Sequence, residues 1–159
     1  MTTYFVADLH FGDDAYTMKG ARPGGSPSRP FADAAAMDAA LIARWNEVVS
    51  DGDVVWVLGD VAKRGHLKKV GLLKGEKRLV AGNRDPIGEI VASGLFAEVH
   101  AVKYLPGMLL THVPVHPSQL GRAVVNVHGH LHGRAVGDDR FICVSVDQTA
   151  FRPICHPCG

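Results

Sequence analysis

The stretch VNVHGHLHG, residues 125–133, decides how this chain is built: it reads as a buried strand, yet it carries histidines at every second position, 128, 130 and 132. In an extended segment, side chains two apart emerge on one face, so His128, His130 and His132 are expected to point the same way. Such a row is either a hydrogen-bonded feature of the core or a set of metal ligands. The choice rests on what the rest of the chain brings to the same place.

Working outward, other short runs share its β-branched and apolar character and are bounded by Gly, Pro, Asp or Asn. They are TYFVAD from residue 3, DVVWVLGD from 53, KRLVAGN from 77, EVHAVKYL from 98, MLLTH from 108, AVVNVHGH from 123 and RFICVSV from 140. Each reads as one strand. Between the first two, Asp33 can cap a helix whose apolar positions Met37, Leu41, Trp45 and Val48 recur at helical spacing, with Gly52 to end it. A second helix is expected over KRGHLKKVGLLKG from 63, weakened by Gly71, and a short third over PIGEIVASG from 86, with Pro86 in its first turn. Strand and helix alternate early and strands dominate late, which implies an α/β layered fold with parallel pairing first and hairpin-like antiparallel strands afterwards. The Gly-, Pro- and Ser-rich stretch GARPGGSPSRP, residues 20–30, reads as an irregular solvated connector, with a substrate loop as the alternative.

The bulk numbers narrow the function classes. At 159 residues the chain is expected to form one domain, 1–159, burying about two-thirds of the surface its unfolded form exposes. Seventeen basic and sixteen acidic side chains leave a net charge of +1, so no global field recruits nucleic acid or an anionic membrane. The basic clusters KRGHLKK and KGEKR read as solvated surface. No apolar run approaches the roughly eighteen residues of a membrane span, and the N-terminus lacks a basic lead, so a cytoplasmic location is expected. Three cysteines, two of them in the terminal CHPC, do not make a disulfide framework. Zinc binding by Cys155, Cys158, His156 and Cys143 would need a second paired motif, so free thiols are expected.

The ends of the strands carry the chemistry. Asp8 and His10 follow the first, Asp60 the second, Asn83, Arg84 and Asp85 the third, His112 the run at 108, and His130 and His132 the run at 123. Five strands thus carry a metal-capable side chain at the same end. In open α/β sheets ligands collect outside the carboxyl ends of the strands, where these groups would converge. Gly59, Gly82 and Gly129 fit such a site, since a missing side chain lets the backbone turn tightly beside it. Burying so many ionisable groups without a partner would be costly.

In this order, Asp-x-His, Gly-Asp, Gly-Asn-x-Asp, His and Gly-His-x-His resemble the motifs of the calcineurin-like metallophosphoesterases. The likeness runs from Asp8 to His132 and is similar to the small single-domain members, which have counterparts of DLHFG, of Arg29-Pro30-Phe31, of RWNEVV, of DVVWVLGD and of VHGHLHG. The resemblance implies a four-layer α/β/β/α sandwich of two mixed sheets flanked by helices. It also implies a dinuclear metal centre at the strand ends. Asp8, His10 and His132 would hold the first metal, and Asn83, His112 and His130 the second, with Asp60 bridging. His128 would hydrogen-bond rather than ligate, and Asp85 would orient its neighbours.

The implied activity is hydrolysis of a phosphodiester or phosphomonoester, in which a hydroxide bridging two divalent ions about 3.5–4 Å apart attacks phosphorus in line. Four imidazoles, two carboxylates and an amide suit Mn, Fe, Zn, Co or Ni better than Ca, with Mn favoured. The substrate would be a phosphate ester, a nucleotide among the candidates. The family usually has Gly-Asn-His-Asp at the third motif, whose histidine protonates the leaving group, whereas this chain has Arg84. A guanidinium cannot act as a general acid but can grip phosphate. His116 is the alternative proton donor, although as a loop histidine it more readily faces water. The competing reading, a metal-binding scaffold with little catalysis, draws on the same missing histidine.

Overall fold

The computed structural model describes residues 1–25 and 28–155. Alternation within VVWVL sets the layering: Val55 and Val57 face one side of their strand, Val54, Trp56 and Leu58 the other, and both sides are buried. Among the described residues nine strands form two mixed sheets. The first has the order β4-β3-β2-β1-β9, with β1 Thr3–Val6, β2 Val54–Val57, β3 Glu76–Val80 and β4 Glu98–His100 parallel and β9 Ile154–Cys155 antiparallel at the edge. The second has the order β5-β6-β7-β8, comprising Lys103–Leu105, Met108–Leu110, Val125–His128 and Phe141–Cys143.

The inner faces meet through Phe5, Ala7, Trp56, Leu58 and Val80 on one side and Leu110, Val127 and Val144 on the other. The outer face of the five-stranded sheet packs Val6, Val55, Val57 and Leu79 against Met37, Leu41 and Trp45 of α1 (Ala34–Val48) and Ile90 of α2 (Ile87–Ser93). At the start of α1, Asp33 accepts a hydrogen bond from Ala36 N at 2.9 Å, satisfying an orphan amide of the first turn. Gly94 closes α2 in the left-handed region at φ 66°. No helix among the described residues is long and apolar enough to cross a membrane.

Several expectations need correction. EVHAVKYL is not one strand: β4 and β5 lie in different sheets, with Ala101 and Val102 forming the crossing. A continuous apolar pattern carries no mark of such a change of sheet. The helix expected from residue 63 is a 3-10 helix, Leu67–Leu72, preceded by turns. Pro86 occupies the N-cap of α2 rather than its first turn. In the second sheet only β5 and β6 pair antiparallel, while β6, β7 and β8 run parallel, because long connections return the chain to the same end each time. The strand β9 went unrecognised, being two residues long. Both α-helices cover the five-stranded sheet. On the outer side of β7, Asn126 is buried beneath a loop, accepting from Val115 N at 3.0 Å, and among the described residues the only helical turn there is the 3-10 Pro117–Gln119.

Candidate metal centre

Parallel strands put the carboxyl ends of β1, β2, β3, β6 and β7 at one end of the molecule, and the candidate ligands come from the turns just beyond them. Main-chain bonds align these turns: Asp8 N donates to Gly59 O at 3.0 Å, His10 N to Asp60 O at 3.0 Å and Gly129 N to His112 O at 2.9 Å. A bond across the sheets joins them, with His130 N donating to Asp8 Oδ2 at 2.9 Å. The glycines make room. A Cβ on Gly82 would lie 2.4 Å from Asp60 Oδ1, one on Gly59 2.5 Å from Gly82 Cα, and one on Gly129 2.5 Å from Ala7 Cβ.

The side chains gather in two groups, Asp8 with His10 and His132, and Asp60 with His112 and His130, the ligand atoms of each lying within 4.8 Å of one another. Asp60 reaches both: its Oδ2 is 3.6 Å from His10 Nε2 and 3.5 Å from His112 Nε2. Asn83 Oδ1 lies 2.8 Å from His112 Nε2, beside the second group. The structure therefore brings together all seven residues singled out as ligands.

The opening reading of residues 128–132 is corrected in one respect. The strand ends at His128, and His130 and His132 sit in left-handed turns at φ 68° and 51°, so the alternation of a strand does not carry on to them. They reach different groups. His128 is fully buried, and its Nδ1–H donates to Gly129 O at 2.8 Å.

Hydrogen bonds choose which ring nitrogen faces the site. His112 Nδ1–H donates to Leu58 O at 2.7 Å, leaving Nε2 to face Asp60 and Asn83. His132 Nδ1–H donates to Asp147 Oδ2 at 3.0 Å, leaving Nε2 for the first group. His130 presents Nδ1, which lies 3.2 Å from His112 Nε2. In the first group, Asp8 Oδ1 and His10 Nε2 are buried without any hydrogen-bond partner. Orphaned acceptors facing one another in a buried place are costly unless a cation lies between them, so the donor set fits divalent metal ions.

Electrostatics follow the same arrangement. Burial raises the Asp8 pKa despite His132 and His112 nearby. Burial also lowers His10, to about 3, with the Arg29 charge adding to the effect, so this ring is a neutral lone-pair donor. Burial works to raise Asp60, but the His112 ring beside it, the bond from Arg84 N and the neighbouring His10 outweigh it and hold the carboxyl below its ordinary value.

A further carboxylate was missed. Asp147 accepts from His132 Nδ1–H and from Ser145 Oγ at 2.9 Å and pairs with Arg29, whose Nε and Nη2 lie 3.1 and 2.9 Å from its two oxygens. Arg29, buried, also donates to Asp8 O and to Leu9 O. The signal was present, since Asp147 follows the apolar run FICVSV as Asp8 and Asp60 follow theirs. Tyr16 also went unremarked; its ring stacks on His10 with centroids 3.9 Å apart.

Asp85 spends its carboxylate on three backbone amides, Asp60 N at 2.9 Å, Val61 N at 2.8 Å and Gly82 N at 2.7 Å, which makes it a positioning residue for the two turns. Arg84 is exposed; its backbone N donates to Asp60 Oδ1 at 2.9 Å and its guanidinium makes no hydrogen bond among the described residues. His116 is exposed, and its Nδ1 caps the 3-10 turn, accepting from Ser118 N at 3.3 Å; none of its hydrogen bonds reaches the site. Of the terminal cysteine cluster, His156 and Cys158 lie outside the described residues, Cys155 is exposed in β9 and burial raises the Cys143 thiol to about 11.

No family model matches the chain. The uncharacterized protein MJ1445 of Methanocaldococcus jannaschii is 30% identical over 163 residues, covering 95% of this chain and 85% of the archaeal protein. The gene 66 protein of Mycobacterium phage L5 is 33% identical over 90 residues, 52% of this chain and 39% of the phage protein. Among solved structures, the protein of unknown function AQ665 from Aquifex aeolicus superposes with a TM-score of 0.69 over 97% of this chain and 95% of its own, at 20% identity, a likeness of fold.

Proposed function

The chain belongs to the family of the archaeal protein MJ1445, and from that premise and its own site we propose that it is a dinuclear-metal phosphoesterase of the calcineurin-like type. The observation that carries this reading is the placing of Asp60 Oδ2, 3.6 Å from a histidine of one group and 3.5 Å from a histidine of the other. A carboxylate so placed is suited to bridging two ions. The frame proposed is the sandwich of those enzymes, supported by two face-to-face mixed sheets, although its outermost layer over the second sheet would be loop rather than helix.

Two divalent cations, manganese favoured, would supply positive charge to the phosphoryl oxygens and a water acidic enough to attack phosphorus. The chain's own residues do the rest. Asp8, His10 and His132 would hold one ion, Asn83, His112 and His130 the other, and Asp60 both. Leu58 O and the Asp147 carboxylate fix the tautomers of His112 and His132, so their lone pairs need no rearrangement on loading. Arg84, exposed on the turn that carries Asn83, would hold a phosphate oxygen but could not release a proton. Leaving-group departure therefore depends on the basicity of the alcohol: aryl phosphoesters are expected to turn over much faster than alkyl ones, and equal rates with chemistry limiting would count against this.

The direct test joins metal analysis with hydrolysis of mono- and bis-nitrophenyl phosphate in manganese. Two metal equivalents and turnover in the wild type are expected, with both reduced in Asp60→Asn. Full occupancy without turnover of any ester would favour a metal-binding scaffold, the reading that Arg84 in place of a proton-donating histidine keeps open.

A further inference from the structure

Beside the first ligand group lies a cleft of about 680 Å³, far larger than a phosphoryl group needs and within the range that holds a nucleotide-sized ligand. Its inner walls grow out of the ligand turns. Asp13 N donates to His10 O at 3.1 Å, and Lys63 N donates to Phe11 O at 2.9 Å, so the turn after Asp60 lies alongside the one after His10. Tyr16 forms the partition, lining the cleft while its ring stacks on His10. The outer wall comes from the Gly- and Pro-rich loop, through Gly20, Ala21, Arg22, Gly25 and Ser28.

The cleft is charged. Lys19, Arg22 and Lys63 face it against a single lining carboxylate, Asp13. Lys19 is paired with Asp14 at 2.9 Å, and Lys63 Nζ stands 3.9 Å from Asp13, a loose contact. Arg22 has neither a hydrogen bond from its side chain nor an ion pair among the described residues, and it is exposed. Two cations with little intramolecular neutralisation thus line a roomy cleft that opens beside the metal-capable end of the sheets.

We propose that this cleft is a second anion subsite, and that the substrate is a phosphodiester one half of which carries a further phosphate, held by Arg22 and Lys63. The proposal rests on the phosphoesterase reading and narrows its substrate class. A guanidinium takes two phosphate oxygens through parallel N–H donors, and an ammonium adds a point charge, so the pair suits a phosphate dianion better than a neutral alcohol. Gly20, Ala21, Arg22, Gly25 and Ser28 become the substrate-side wall rather than part of a mere connector. The phosphate could belong to a nucleotide or to a simple sugar phosphate, the chemistry at the subsite being the same.

The test is calorimetric titration of the metal-free protein, held in EDTA, with adenosine 5′-monophosphate, ribose 5-phosphate and adenosine. Both phosphates are expected to bind and adenosine not to; tighter binding of the nucleotide identifies a nucleoside-bearing substrate, and equal binding a phosphate reader indifferent to the base. The Arg22→Glu/Lys63→Glu double variant, shown to be folded by circular dichroism, is expected to weaken both phosphates at least tenfold. Arg122→Glu, a charge reversal elsewhere on the surface, leaves the constants unchanged. Should chelation unfold the wild type, the same titrations are made on the manganese-loaded protein. Phosphate binding that is absent, or equal in wild type and double variant, overturns the subsite. Hydrolysis of bis-nitrophenyl phosphate, measured separately, reports on the phosphoesterase reading: its failure with phosphate binding intact rejects the reaction and not the anion site.

Discussion

Seven non-glycine residues of the described chain hold a left-handed backbone, and five of them are Asp8, His10, Asp60, His130 and His132. Such conformations cost of order 1–3 kcal/mol each and persist only where the surroundings over-determine them. Here the surroundings are other members of the site, so each ligand turn is held by its neighbours. Asp147 shows how far this extends. Burial works to raise its pKa, but the bonds from His132 and Arg29 outweigh it and hold the carboxyl well below the ordinary range. Asp147→Asn removes that charge and leaves at most a neutral amide to accept from His132 Nδ1–H. Manganese affinity is expected to fall about 10- to 100-fold, the usual cost of losing a hydrogen-bond partner behind a metal-binding histidine. Titration with a metal indicator measures this, and an unchanged affinity would show that His132 does not depend on its carboxylate. Of the residues around the site, Asp8, Asp60 and Asn83 were legible because each ends an apolar strand. Asp147 obeys the same rule and was overlooked, since it follows the last seven-residue run rather than lying beside a histidine or glycine. Arg29 was visible only as part of a motif; nothing local tells that its guanidinium crosses the chain to residue 147.

The same economy appears in the turns. Gly82→Ala would set a Cβ 2.4 Å from Asp60 Oδ1 and 2.5 Å from Asp60 N. Neither atom can yield without dislodging the proposed bridging carboxylate. Loss of one metal equivalent is expected, together with a fall of several degrees in Tm, about 2–4 °C for each kcal/mol in a chain of this size. Gly88→Ala is the contrast. Gly88 lies in α2 with nothing within 4 Å of the added Cβ, so the variant should be stabilised by about 0.5–1 kcal/mol, read as a higher melting midpoint. At this scale the first sheet was the more legible part, because alternating βα patterning implies parallel strands. In the second sheet the expected antiparallel pairing holds for β5 and β6 and fails for β7 and β8. Its strands are three or four residues long, and their direction is set by the long connections at 111–124 and 129–140. Those connections carry His112, His130 and His132, so the segments that hid the topology are the ones that deliver the ligands. The break inside EVHAVKYL was equally hidden, since both halves satisfy the same apolar pattern.

For the molecule as a whole, the buried site makes the metal-free protein sensitive to acid. The His10 ring has a pKa of about 3 when folded against an ordinary 6.5, so the unfolded chain binds its proton first. A lowered histidine contributes stability that is present above pH 6.5 and is lost as pH falls from there toward 3. Asp147, also lowered, adds a loss that begins only below its ordinary value of 3.8. Asp8 and His112, both raised, work in the opposite direction. The His10 contribution is isolated by comparison: in chelated protein, wild-type Tm should fall between pH 7 and 5 more steeply than that of His10→Gln. Parallel curves would mean that His10 is not held neutral.

Each proposed ion would draw ligands from both sheets, the first through Asp8 and His10 against His132, the second through Asp60 and Asn83 against His112 and His130. Loading would then rivet the sandwich at one rim only. Amide exchange should slow at the far ends of β1, β2, β6 and β7, where the chain turns into the ligands, while the opposite rim, where those strands begin, keeps breathing at its unmetallated rate.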